Sequence, residues 1–286
     1  MTADKILLYN ALLPLLVSAV IVFLAWRRHS PGPVWSSVAT GLALALAYGS
    51  MHAPLSGGWP PFPATEASGW LPYQVMLAAA CGVAVSAARR RPAIMAAIRL
   101  LASALCSWLV LRPLLTQWTA AEAAAQVFAP AALSFLCWSL HDGLRCACAD
   151  RPCRMRSSWL AILSSLTFLN SSFASLAQLT GAFAAAVGGT CVVALLRRDF
   201  SLSGAGVAMI SVFLVCAGAN AHAFASLTRT NALLLIGALL APGILWLPPL
   251  ATAGRWRQCA IAASAALVPA GIALALALAQ APRGGF

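Results

Sequence analysis

An all-α, polytopic membrane bundle of about ten transmembrane helices, with N-terminus and C-terminus outside, is the fold this sequence predicts. Three observations predict it. First, 62% of the 286 residues are hydrophobic and 8% are charged, whereas soluble domains carry charge on roughly a quarter of their residues. Second, apolar stretches of roughly 20 residues, enough to cross a hydrocarbon core about 30 Å thick, follow one another with short connections. Third, the arginines obey a parity. Arg27 and Arg28 follow the first stretch, Arg89, Arg90 and Arg91 the third, and Arg145, Arg151, Arg154 and Arg156 the fifth. Arg197 and Arg198 follow the seventh, and Arg255 and Arg257 the ninth. Short cytoplasmic loops collect Lys and Arg, so these five loops read as cytoplasmic.

The predicted spans are 6–26, 34–51, 69–88, 93–112, 119–140, 157–172, 175–196, 203–221, 230–248 and 257–279, forming one transmembrane domain over 1–286. The first stretch, Ile6 to Trp26, is longer than the 7–15-residue core of a signal peptide and reads as an uncleaved span. The uncharged run from Ser157 to Leu196 would be about 60 Å long as one helix, twice the hydrocarbon thickness, so it turns once. Asn170-Ser171-Ser172 supplies the turn, because these side chains satisfy freed backbone groups locally. Trp26, Trp35, Trp138, Trp159, Trp246 and Trp256 fall near the inner interface and Trp59, Trp70, Trp108 and Trp118 near the outer one, as aromatic belts do. Two groups of five spans starting from opposite sides are compatible with an inverted repeat, but the halves share no residue-level similarity and any ten-span chain with odd halves shows this parity, which is the stronger reading.

The net charge of +12 sits at span edges, so topology and anionic headgroups account for it and nucleic acid is not an expected partner. The arrangement suits a plasma (inner) membrane of a bacterium, with the lipid bilayer as its surroundings. The cysteines Cys81, Cys106, Cys137, Cys191, Cys216 and Cys259 are isolated in apolar helices, where Cys acts as a small hydrophobe, and disulfides are not expected.

Between spans two and three lies an irregular outer segment, His52 to Trp70, in which Pro60, Pro61 and Pro63 impose an extended path. Thr65 is expected to cap span three, with Glu66 in its first turn. The segment presents Trp59, Phe62, Glu66 and Trp70 either as a plug with aromatic anchors (Tyr73 included) or as a docking loop for a protein partner at the outer face. Its anchors and prolines predict that it is ordered.

Span four carries the one clear intramembrane charge, Arg99, six residues inside if the span begins at Ala93. Near an edge an arginine snorkels to the headgroups; the alternative is a buried cation that binds an anionic group or pairs within the bundle. No Asp or Glu is placed in a span core, which argues against a proton- or sodium-coupled carrier and removes the acid–base pairs of an intramembrane hydrolase. Motifs of metalloproteases, serine hydrolases and phosphate-binding loops are absent from the sequence. No catalytic residue is therefore assigned, and no cofactor.

Polar residues gather at two outer turns, and Asn170, Gln178, Asn220, His222 and Arg229 are candidates for a hydrogen-bonding vestibule; the competing reading is ordinary turn capping. Gly181, Ala185 and Gly189, four residues apart, form a small-residue stripe for close helix approach. His141, Cys146, Cys148 and Cys153 contain the donor types of a Cys₃His metal set, but Cys-x-Cys-x₄-Cys departs from the usual spacing, and reduced thiols in a short loop are the simpler reading. Two functions follow as expectations: a permease-like protein for a small neutral, anionic or lipidic solute, or a non-transporting assembly subunit that docks a partner through the Pro/Trp-rich loop.

Overall fold

The computed structural model describes residues 8–27, 32–147, 174–197, 200, 202, 204–224, 227–246 and 255–280. The described residues form helices and connections, without strands. After a π-helical turn at Leu8–Leu12 come α1 (Leu13–Ala25), α2 (Pro33–Ser56), α3 (Leu71–Ala87), α4 (Pro92–Leu111) and α5 (Ala120–Ala147). Then follow α6 (Ala174–Leu196), α7 (Gly204–Phe224), α8 (Arg229–Leu240), which continues as a 3₁₀ turn over Ala241–Trp246, and α9 (Arg255–Gln280). Seven of the helical segments are long and apolar enough to cross a membrane; the segments at 229–245 and 263–279 are shorter. Each of these helices falls on a predicted span. The span expected at 157–172, with its turn at Asn170-Ser171-Ser172, lies outside the described residues.

Side-chain contacts fix the directions of α1 to α7. Ser37 Oγ lies 2.6 Å from Ser86 Oγ and accepts the Ala205 N–H at 3.4 Å, so the start of α2, the end of α3 and the start of α7 meet at one end of the bundle. The Arg112 guanidinium lies over Trp70 at the opposite end, where α4 finishes and α3 begins. Arg99 on α4 pairs with Asp142 near the end of α5, so α5 finishes at the first end, beside Arg89, Arg90 and Arg91. We term this the basic end. Ser18 Oγ donates to the Ala186 carbonyl at 2.7 Å, and Arg197 donates to the Arg27 carbonyl at 2.9 Å. Hence α1 and α6 run parallel and both finish at the basic end. It follows that α5 stops at the basic end and α6 starts at the opposite one.

Close approach explains the central crossing. A Cβ on Gly82 of α3 would overlap the Ala205 Cα of α7, and one on Gly189 of α6 would overlap the Leu15 carbonyl oxygen of α1. Glycine at these two positions lets backbones pack at a distance any side chain would block. Thus α7 becomes the central post, buried from Gly204 through Ala217, packed on α2, α3, α4 and α5. Phe183 stacks on Phe213 at 4.2 Å, with Tyr48 edge-on to both, and this layer locks α2, α6 and α7 together. Cys106, Cys137, Cys191 and Cys216 are buried within this core and form no disulfide.

Three expectations need correction. Thr65 does not cap α3: the helix is entered through a 3₁₀ turn at Ser68–Trp70 with no side-chain cap. Ala67 and Trp70 already hold helical dihedrals, which carries the turn past Thr65. A reciprocal cap sits instead at the start of α5, where the Thr119 N–H donates to Glu122 Oε2 at 3.0 Å and the Glu122 N–H to Thr119 Oγ1 at 3.4 Å. Second, Trp26, Trp70 and Trp138 are buried rather than part of interfacial belts. Trp26 packs edge-on against Phe200, and Trp138 lies beneath Arg99. Trp35, Trp59 and Trp108 do remain exposed. Third, α5 does not stop near Leu140 but continues through Ala147, which brings Asp142 inside a helix of membrane length.

Candidate functional site

The buried charge of α4 is answered by α5. Arg99 lies seven residues into its helix, about 10 Å from the end at 1.5 Å per residue. Asp142 lies five residues before the end of the antiparallel α5, about 8 Å in, so the two reach the same depth. Arg99 Nη2 donates to Asp142 Oδ2 at 2.5 Å, with the side chains 11% and 13% exposed, and the guanidinium sits 5.9 Å from the Trp138 ring centre. An arginine so placed has its charge compensated within the bundle, by a carboxylate and an aromatic face.

His141, the neighbour of Asp142, points to other helices. Its Nε2 lies 3.0 Å from the Leu239 carbonyl oxygen of α8 and its Nδ1 3.1 Å from Ser211 Oγ of α7. A carbonyl only accepts, so Nε2 carries the proton, and in the neutral ring Nδ1 accepts from the serine hydroxyl. One imidazole thereby ties α5, α7 and α8 together. Among the described residues no group of three His, Cys, Asp or Glu is placed to hold a metal. Cys148 and Cys153 lie outside the described residues, and nothing is described of the Cys146 side chain.

Beyond Leu239, between α4, α5, α7 and α8 and toward the end opposite the arginines, opens a cavity of about 300 Å³. Its walls are apolar, with Leu133, Leu214, Leu235 and Ile236 prominent, and its polar lining comes from Gln126 and His222. Two features of sequence shape it. Pro130 stands in the middle of α5, and Gly218 on α7 has open space within 4 Å of where a Cβ would be. Among the described residues no Lys, Arg, Asp or Glu lines it.

The residues expected to form a vestibule are only partly brought together. Asn220 and His222, in the last turns of α7, and Arg229, at the start of α8, flank the short α7–α8 connection. Asn220 is fully buried, and neither its amide oxygen nor its nitrogen has a partner among the described residues. His222 Nδ1 donates to the Leu227 carbonyl at 2.9 Å, closing the turn, and Arg229 is exposed beside the Thr228 cap. Gln178 is half-buried on α6, which packs chiefly on α1 and α2 rather than on α8. Asn170 lies outside the described residues. Sequence reasoning missed Asp142 and the apolar cavity. The first was detectable as an acid at a depth matching Arg99; the second arises from packing and has no local signal.

The Pro-rich segment is ordered. Trp59, Phe62, Trp70 and Tyr73 form a chain of edge-to-face contacts with ring centres 5.4–6.3 Å apart, and Tyr73 donates to the Pro60 carbonyl at 2.7 Å. Trp59 also meets His52 and covers Gly49, while Phe62 remains 76% exposed.

These features define a class: an all-helical protein with several helices of membrane-spanning length and composition, an internally compensated ion pair and an apolar cleft. No protein-family model, curated protein or solved structure matches the chain.

Proposed function

We propose that this chain is a permease-like multi-pass membrane protein for an apolar or amphipathic, lipid-like solute, held in the cavity between α4, α5, α7 and α8. The observation that carries this reading is the cavity itself: about 300 Å³, apolar-walled, with the imidazole of His222 and the amide of Gln126 as its polar lining. That volume is at the lower bound of small-molecule sites. An anionic solute is disfavoured, because Arg99 is already paired with Asp142 and no cation among the described residues lines the cleft. In the same reading the connection from α5 to α6 supplies a further crossing, since those helices stop and start at opposite ends. That gives ten spans, the basic end in the cytoplasm and the cavity facing the outer leaflet of a plasma membrane.

The test is photolabelling in liposomes with a diazirine-bearing hexadecanol. Label concentrated on α5, α7 and α8, and lost in Gly218→Leu, where a Cβ meets nothing within 4 Å, supports the site. Label spread evenly over lipid-facing helices, or unchanged in Gly218→Leu, refutes it. A second reading, a docking subunit, is favoured by the exposed Phe62 on an ordered loop. It requires that Phe62→Ala lose a co-purifying protein without loss of expression.

A further inference from the structure

Separate from the apolar cavity, the loop between α2 and α3 encloses a polar pocket of about 280 Å³ at the end opposite the arginines. Its chemistry-bearing lining is His52, Ser56, Trp59, Thr65, Glu66 and Ser68, with no Lys or Arg among the described residues. His52 is 1% exposed; its Nε2 lies 3.4 Å from Ser56 Oγ, and its Nδ1 has no partner among the described residues. The indole of Trp59 is fixed by edge contacts to His52 at 6.1 Å and Tyr73 at 6.3 Å, so the pocket is formed before any ligand arrives. Glu66, the one carboxylate between Gly57 and Trp70, gives the lining a net negative charge.

We propose that this pocket binds a small protonated amine. Glu66 serves as counter-ion, His52 borders the pocket with Nε2 turned to Ser56 Oγ, and Trp59 forms an aromatic wall. A carboxylate beside an aromatic face is the combination that recognises ammonium groups, through charge-assisted hydrogen bonds and cation–π attraction. Anions are disfavoured for want of a cation, and apolar ligands by the density of hydroxyl, imidazole and carboxylate groups. The same ammonium chemistry occurs in a free amine and in the ethanolamine headgroup of a lipid, and the pocket lies where a membrane-length helix ends.

Calorimetric titration of the purified full chain with ethanolamine, with choline as the analogue lacking N–H donors, tests the proposal. Saturable ethanolamine binding is expected, about tenfold weaker for choline and about tenfold weaker in Glu66→Gln, the effect of removing one charge-assisted hydrogen bond. Glu66 is exposed, so Glu66→Gln should keep the wild-type unfolding midpoint, and His52→Gln gives a second, independent weakening. Absence of saturable binding to the wild type, undiminished binding in Glu66→Gln, or equal affinity for choline overturns the proposal. Repeating the titration in nanodiscs identifies the source. Suppression by phosphatidylethanolamine relative to phosphatidylcholine assigns the pocket to a headgroup, and an unchanged titration assigns it to a soluble amine.

Discussion

Removing either member of the Arg99–Asp142 pair should destabilise the bundle far more than removing both. Each side chain is only about one-eighth exposed, and the pair lies roughly 8–10 Å from the helix ends. Breaking a buried pair strands a charge at a cost of 3–5 kcal/mol, and an uncompensated arginine at a span centre costs about 2.5–3.5 kcal/mol on insertion scales. Because both side chains keep some exposure, the lower end applies: about 3 kcal/mol for Arg99→Met or Asp142→Ala. The double variant should cost less than either single change, leaving a coupling of at least about 3 kcal/mol, within the range for close charge pairs. The assay is a double-mutant cycle on reversible unfolding of the purified protein in mixed detergent micelles. Asp142 has contacts besides Arg99, and the cycle isolates the shared term from them. Single effects that add to within about 0.5 kcal/mol, or an Arg99→Met protein more stable than wild type, would refute the pairing and restore a headgroup-seeking arginine.

Two further predictions concern caps and crossings. Thr119→Ala should lower stability by about 1 kcal/mol through loss of the reciprocal cap on α5, whereas Thr65→Ala should stay within about 0.5 kcal/mol, both read from thermal unfolding. The reverse order would restore Thr65 as a helix start. Gly82→Ala and Gly189→Ala should each cost about 1–3 kcal/mol, since the new methyl would overlap backbone atoms of the facing helix, while Gly237→Ala, with open space around it, should be neutral or stabilising. Equal unfolding midpoints for the three would exclude the close approaches of α3 to α7 and α1 to α6.

Much of the architecture was legible because membrane helices announce themselves by length and by the arginines at their ends. The helices found from Leu8 to Gln280 fall on predicted spans for that reason. Detail failed where polarity near a helix end was taken as the end itself. His141-Asp142-Gly143 reads as the beginning of a loop, yet the imidazole and the carboxylate each find partners on neighbouring helices, and α5 continues. The clue was the need of Arg99 for a counter-charge: few acids are available in the chain, and Asp142 matches its depth. Thr119-Ala-Ala-Glu122 carries the capping-box signature, whereas Thr65 followed by Glu66 lacks the three-residue spacing that makes such a box reciprocal. The vestibule expected from Gln178 with Asn220 was illegible for another reason. Depth along the membrane follows from sequence, but which helices are neighbours follows from glycine contacts such as Gly82 against Ala205, which only packing defines.

Sidedness is the claim on which the outward-facing cavity rests, and thiol labelling tests it most directly. In a background with the nine native cysteines replaced, Ser56→Cys and Thr230→Cys, at the end opposite the basic end, should react with an impermeant maleimide on intact cells. Arg90→Cys and Arg257→Cys should react only after permeabilisation. Labelling of positions 90 and 257 from outside, with 56 and 230 protected, would contradict the orientation, and opposite behaviour of 56 and 230 would contradict the bundle itself.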